Sequence, residues 1–170
     1  IKAIYEGLSK LGFAGGKILE PSCGVGNFLG LLPEEMRNSQ LYGVELDSLT
    51  GRIAKQLYPK ANIQIKGFEE TNFQDNSFDI AVGNVPFGNY SVFDPAYNRY
   101  NFSIHNYFFA KALAKIHPGG VLALVTSRYT MDAKDSKVRE YLAERADLLG
   151  AIRLPNNTFK NNAGTEVVSD

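Results

Sequence analysis

Apolar positions along the chain follow two periods. Ile1, Ile4, Tyr5, Leu8 and Leu11 recur at helical spacing and predict a helix over 1–11. Short apolar runs at 17–20, 41–45, 63–65, 78–83 and 121–126 read as strands, the last announced by the turn Pro118-Gly119-Gly120. A sixth strand is predicted over 148–154, stopped by Pro155, and 166–170 reads as the opening of a seventh. Helices are predicted between them over 26–32, 48–57, 103–116 and 134–146. Ser48 is placed to cap the second of these, Ile104, Phe108, Leu113 and Ile116 mark the third, and Val138, Tyr141 and Leu142 the fourth. Near-continuous apolar strands belong to a parallel sheet buried on both faces. Their alternation with helices predicts a doubly wound α/β domain, mostly parallel, with helices on both faces. The longest irregular stretch, 87–102, is aromatic and polar, and long loops of this kind often line sites.

Composition narrows the class. The 170 residues, 44% hydrophobic, suit a single domain. A chain of this length buries roughly 70% of its unfolded surface. No apolar run approaches the ~20 residues of a membrane span, and no basic-then-apolar leader is visible, so a cytoplasmic protein is expected. One cysteine excludes an internal disulfide, and with only His105 and His117 beside it no metal site is expected. Lys plus Arg and Asp plus Glu both number 18, so no overall charge marks a nucleic-acid binder. DNA or RNA contact would have to come from a local patch or from flanking regions. The chain opens without Met inside a helical pattern and closes inside a strand-like run. Residues 1–170 are therefore expected to be the core of a larger protein, with any target-recognition region lying elsewhere.

The candidate chemistry begins after the first strand, in Glu20-Pro21-Ser22-Cys23-Gly24-Val25-Gly26-Asn27-Phe28. Gly24 and Gly26 let the backbone turn sharply and approach a ligand. A dinucleotide fingerprint needs a third glycine, and Phe28-Leu29 stand near its place. Glu20 repels phosphate but suits a cation, and S-adenosylmethionine carries a sulfonium and an ammonium. A solvated strand-end acid is the plainer alternative for Glu20. Glu45 closes the second strand 19 residues after Gly26, where an acid can hydrogen-bond ribose hydroxyls or simply end a strand.

After the fourth strand stands Asn84-Val85-Pro86-Phe87-Gly88. Glu-Pro-x-x-Gly-x-Gly-x-Phe at 20–28, the acid at 45 and Asn-x-Pro-Phe at 84–87, in this order, resemble the N6-adenine DNA methyltransferases, over essentially the whole chain. The likeness looks greatest to methylase modules of large phage- or mobile-element-encoded proteins that also carry helicase regions. Restriction-modification subunits are more distantly similar. The resemblance implies a Rossmann-like, S-adenosylmethionine-dependent fold with a seven-stranded, mostly parallel sheet, its last strand antiparallel. It implies a bacterial or phage origin, and DNA as the partner, held through flanking helicase or target-recognition regions. Cofactor contacts are implied at Glu20, Pro21, Gly24, Gly26, Phe28, Glu45 and Asn84. Phe68 or Glu69, after the third strand, is implied at the cofactor's adenine, although a solvated turn fits that segment equally. Asn84, Val85, Pro86 and Phe87 would act on the target base. Phe159 would supply a second aromatic to it, unless it packs in the core. The family usually has Pro where this chain has Val85.

The chemistry accounts for these residue types. The lone pair of an adenine exocyclic amine is conjugated with the ring. The Asn84 side-chain oxygen and the Val85 carbonyl can accept its two hydrogens and localise the lone pair. Pro86 stiffens the loop, and Phe87 offers a face for an extruded base. A protein glutamine amide or an RNA base amine is also a planar, conjugated nitrogen, so this motif admits those substrates, and a catalytically silent cofactor-binding module shares it too. Cys23 reads as a turn residue and His105 as a helix start. Tyr97, Arg99, Tyr100 and His105 together read as loop packing or a DNA-facing patch, and Lys134, Lys137 and Arg139 as a solvated helix face.

Overall fold

The structure, a computed structural model, describes residues 1–155 and residue 158. Five strands, β1 Lys17–Glu20, β2 Gln40–Glu45, β3 Asn62–Ile65, β4 Phe78–Asn84 and β5 Ile116–Val125, form one sheet in the order β3-β2-β1-β4-β5. The pairs β1–β2, β1–β4 and β2–β3 are parallel. The helices are α1 Lys2–Lys10, α2 Asn27–Gly30, α3 Ser48–Leu57, α4 Ile104–Lys115, α5 Tyr129–Asp132 and α6 Lys137–Ala143. The chain divides into two compact units, one of Ile1–Asn84 with Lys111–Leu124, the other of Val85–Ala110 with the described residues from Val125 onward.

In the first unit, consecutive residues of β1 and β4 are buried: Ile18 with Leu19, and Ile80, Ala81 and Val82. Neighbouring strand residues point to opposite faces, so both faces of the sheet are covered, as the unbroken apolar runs predict. The stripe on α1 buries Tyr5 and Leu8 in a core with Ile18, Phe28, Met36, Ile80 and Val82. At the start of α3 the cap is Asp47 rather than Ser48. Asp47 is still extended, and its Oδ1 accepts the Thr50 N–H at 2.7 Å.

The predicted strand over 148–154 is absent. These residues are irregular, and Leu148, Leu149 and Ile152 are exposed (73%, 68% and 77%), so the apolar run gains neither a ladder nor a core. The helix expected over 134–146 is shorter, and the turn at 118–120 lies within β5, which starts at Ile116. The seventh strand at 166–170 and Phe159 lie outside the described residues.

A polar clasp ties the starts of three strands. Asp79 in β4 accepts the backbone N–H of Lys17 in β1 at 2.6 Å and pairs with Nε2 of His117 in β5 at 2.9 Å. Nδ1 of His117 lies 2.8 Å from the Pro118 carbonyl, so both ring nitrogens face acceptors and the imidazolium is favoured. The Asp79 hydrogen bond raises the His117 pKa, and His117 lowers that of Asp79. A raised histidine stabilises the fold below its unfolded value near pH 6.5 and loses that contribution as pH rises through the folded value. The lowered Asp79 contributes above about pH 3.8 and loses its part as pH falls through its folded value. Wild-type protein should therefore be more resistant to urea than His117→Ala near pH 6, and the gap should close in alkaline buffer. A gap independent of pH would show that the pair is not ionised.

The second unit is organised by aromatic contacts. Tyr100 and Phe102 stack nearly parallel, with Tyr141 of α6 edge-on to both. The Arg145 guanidinium lies 3.8 Å from the Tyr141 ring centre. The Val85 N–H donates to the Val125 carbonyl at 3.1 Å, and Thr126, Thr130 and Asn106 form a short side-chain relay.

Candidate functional site

The parallel register aligns the strand ends. Glu20 stands opposite Gly43 and Glu45 opposite Ile65, while Ile18 pairs with Ile80 and Leu19 with Ala81. Glu45, Glu20 and Asn84 thus close three neighbouring parallel strands at one edge of the sheet. The order reverses between β1 and β4, and such a switch point at the carboxyl ends of strands is where open α/β sheets take ligands.

The loop after β1 is shaped by its glycines and anchored on β2. Its Cys23 N–H donates to the Val44 carbonyl at 2.8 Å, and the Gly26 N–H donates to Cys23 at 2.8 Å. Gly24 and Gly26 are left-handed, with φ of +55° and +87°. A Cβ at Gly26 would run into the Tyr58 ring. The following α2 has only four residues, which gives little macrodipole for a phosphate.

Two carboxylates meet this loop. Glu45 is half-buried, and its Oε2 and Oε1 accept the backbone N–H groups of Gly24 and Asp47, both at 2.8 Å. Each oxygen keeps a lone pair for a further donor. Glu20 is 2% exposed, and its Oε2 has no hydrogen-bond partner among the described residues. Burial pushes its pKa well above the usual carboxylate range, the Leu29 N–H opposes this in part, and the Glu45 charge adds to it. Burial, then the Glu20 and Glu45 charges, push the Cys23 thiol to about 12, so it stays protonated and inert. An orphaned buried carboxylate oxygen beside a second carboxylate is a place for a cation.

Two of the implied cofactor contacts are core residues. The Phe28 ring is buried at 6.3 Å from the Tyr5 ring, and its carbonyl accepts the Tyr5 hydroxyl at 2.8 Å. Phe68 is also buried, with the Lys111 Nζ 5.3 Å from its ring centre. Lys111 donates to the Glu69 carbonyl at 3.1 Å, and the half-buried Glu69 carboxylate is left as the candidate after β3. Pro21 is buried within the first loop. Leu46, directly after Glu45, is 74% exposed, and nothing in the apolar pattern by itself marks it as a site residue. Its position next to a site acid was the available signal.

Asn84 is exposed at the end of β4, Val85 is buried, and Pro86 and Phe87 are half-buried. The chain passes from the first unit to the second at the Asn84–Val85 peptide. The Val85 N–H is held by Val125, which fixes that residue's peptide plane. His105 lies near the start of α4, buried, with Nε2 3.0 Å from the Ser103 hydroxyl, and burial lowers its pKa so that it is neutral. Tyr97 packs edge-on to Tyr107, and the Arg99 guanidinium lies over Tyr100 and donates to its hydroxyl at 2.6 Å, so these side chains pack the loop. Lys137 pairs with Asp135 on a solvated face, whereas Nη1 of Arg139 is buried. Among the described residues, no cluster of His, Cys, Asp and Glu can hold a metal, and no helix is long and apolar enough to cross a membrane.

Comparison with known proteins gives a consistent picture. The Eco57I restriction-modification methylase family matches residues 34–159. Defense against restriction protein B of Escherichia phage P1 is 34% identical over 99% of this chain, which spans 8% of that protein. The modification methylase CviBIII of Paramecium bursaria Chlorella virus NC1A is 34% identical over 43% of this chain and 19% of its own length. Among solved structures, the methyltransferase subunit of a type I restriction-modification system from Streptococcus thermophilus superposes with a TM-score of 0.79 at 16% identity, over 98% of this chain and 41% of that one. A TehB-like methyltransferase from Corynebacterium glutamicum gives a TM-score of 0.57 at 16% identity, over 98% and 85%. These two structures share the fold, with a parallel sheet that has five strands among the residues described here.

Proposed function

Because this chain belongs to the Eco57I restriction-modification methylase family, we propose that it transfers a methyl group from S-adenosylmethionine to the N6 amine of adenine in DNA. The observation that carries the reading is the single sheet edge bearing Glu45, the orphaned Glu20 and Asn84. The similarity to a phage protein named for defence against restriction supports DNA as the substrate class. The methylase reading covers the enzyme as a whole, including flanking regions that recognise the target, since this chain spans only 8% of that relative.

The residues present fit the cofactor. Glu20 would face its positive charge and Glu45 its ribose hydroxyls; Gly24, whose Cβ position opens on free space, leaves backbone room for it, while Gly26 lets the loop pass close to Tyr58. Leu46 offers an exposed apolar surface beside Glu45 for the adenine ring, with Glu69, in the short helical turn after β3, for its amine. When bound, the cofactor supplies an electrophilic methyl group. The chain supplies placement. Asn84 Oδ1 and the Val85 carbonyl accept the two hydrogens of the target amine and concentrate its lone pair on nitrogen. Phe87 stacks the extruded ring, and no side chain needs to form a covalent intermediate. After transfer the amine nitrogen carries an extra proton, which leaves through the Asn84 side to solvent, where that residue is exposed.

Glu45→Ala should weaken cofactor binding by about 1.5–3 kcal/mol, since hydrogen bonds to a charged acceptor are lost. It also frees the Gly24 and Asp47 N–H groups, so Glu45→Gln, which keeps one acceptor oxygen, should lose less. Calorimetry on both variants tests the assignment, and unchanged affinity in Glu45→Ala would remove Glu45 from the site.

A further inference from the structure

The loop between β4 and α4 contains a cavity lined by none of the residues assigned above. Its volume is about 290 Å³, and Phe93, Tyr97, Asn98, Asn101, Phe102 and Tyr107 line most of it. That is just below the ~300–1,000 Å³ of drug-sized pockets, which suits one planar ring system. Among the described residues none that lines it is charged, so they offer a phosphate no ionic partner. The exposed Phe93 and the half-buried Tyr97 offer ring surface to it, Phe102 and Tyr107 are buried behind them in contact with other rings, and the exposed Asn101 carboxamide supplies a donor and an acceptor. Phe93 is 78% exposed, an aromatic side chain that the fold leaves in solvent.

Hydrogen bonds tie the walls of the cavity to one another. Buried Asp94 accepts the Tyr107 hydroxyl at 2.7 Å and the Ala96 N–H at 3.1 Å, and its own N–H donates to the Asn98 side chain at 2.9 Å. Both Tyr97 and Asn98 donate their backbone N–H groups to the Asp94 carbonyl. Tyr97 stands edge-on to Tyr107 at 5.5 Å, and Asn101 turns the chain in the left-handed region at φ +50°. The Ile104 N–H closes the loop on the Tyr90 carbonyl at 2.7 Å. Such preorganisation reduces the ordering cost that a ligand would meet.

A neutral, aromatic, amide-edged cavity in a hydrogen-bonded loop matches the chemistry of an unstacked nucleobase. We propose that this cavity is a second nucleobase subsite, holding one unpaired base of the substrate strand other than the target adenine. It rests on the reading of DNA as substrate. Stacking against a ring is sequence-tolerant, so the subsite would grip any flanking base and hold the strand while the target is extruded.

The test uses full-length protein and a single-stranded thymidylate oligomer containing 5-iodouracil, which has no adenine for the target site. Irradiation should crosslink the oligomer to Tyr97, read by mass spectrometry of the peptides. In Phe93→Ala the yield at Tyr97 should fall about tenfold, the effect of removing one stacking partner. Because Phe93 is exposed, this change leaves the packing of the loop intact. Crosslinks that fall only outside 91–107, an absence of crosslinks, or an undiminished yield in Phe93→Ala would each overturn the subsite. Failure of the methylase reading would appear separately, as wild-type protein that transfers no methyl label to DNA.

Discussion

Asn84→Ala should reduce single-turnover methyl transfer by at least about a hundredfold, the scale seen when one preorganised polar group is removed from a reacting centre. Cofactor affinity should be nearly unaffected, because Asn84 is assigned to the target amine and the loop proposed to meet the cofactor is held by Glu45 and Val44. The split between binding and chemistry is the informative readout, since a merely structural role would move both. Asn84→Asp keeps one acceptor oxygen and should retain more activity than the alanine variant. Val85→Pro sharpens the test. It keeps the accepting carbonyl but removes the N–H that Val125 receives at 3.1 Å. The chemistry should survive, while stability falls by about 1–3 kcal/mol for the unpaired buried group. That bond gives a physical reason for valine here in place of proline.

Glu20→Gln should weaken cofactor binding about 10- to 100-fold, the range for losing a charged partner. The same change should alter stability in the opposite sense. Burial raises the Glu20 pKa in the folded chain, so wild-type protein loses stability as pH rises from the unfolded value near 4.5 through the folded value. The amide does not titrate, so the Gln variant should be flat across that window. A bound cation reverses the penalty, which makes cofactor affinity in the wild type rise with pH until Glu20 is ionised. Tyr5, Cys23 and Glu45 are the titratable groups coupled to it, and all of them disfavour its charge or are disfavoured by it. Titration of cofactor affinity against pH in both proteins checks the sign. Parallel profiles would show that Glu20 is not the responsive group.

The strand ends were legible because their signals are local. The runs ending at Glu20, Glu45 and Asn84 each break into a turn or loop, and parallel strands with short crossovers bring such ends to one edge. The side on which an aromatic ring packs was not legible. Phe28 meets Tyr5 from a helix 23 residues earlier, and the segment of Phe68 is capped by Lys111, 42 residues beyond Glu69. Next to glycines and acids, both rings read as ligand contacts, and only tertiary packing turns them inward. Residues 148–154 failed for a related reason. An apolar run specifies a strand only when a neighbouring edge accepts its hydrogen bonds, and composition is silent on that. The cavity around Phe93 was visible only as a long aromatic loop, because its walls depend on the turn that Asp94 fixes.

The central claim is methyl transfer to an adenine amine. Its most direct test incubates full-length protein with unmethylated DNA and methyl-labelled S-adenosylmethionine, then digests the DNA to nucleosides and identifies the labelled one. The account predicts label in N6-methyladenine and none after Asn84→Ala. Label in a cytosine derivative, or label in N6-methyladenine at the wild-type rate with Asn84→Ala, would contradict it.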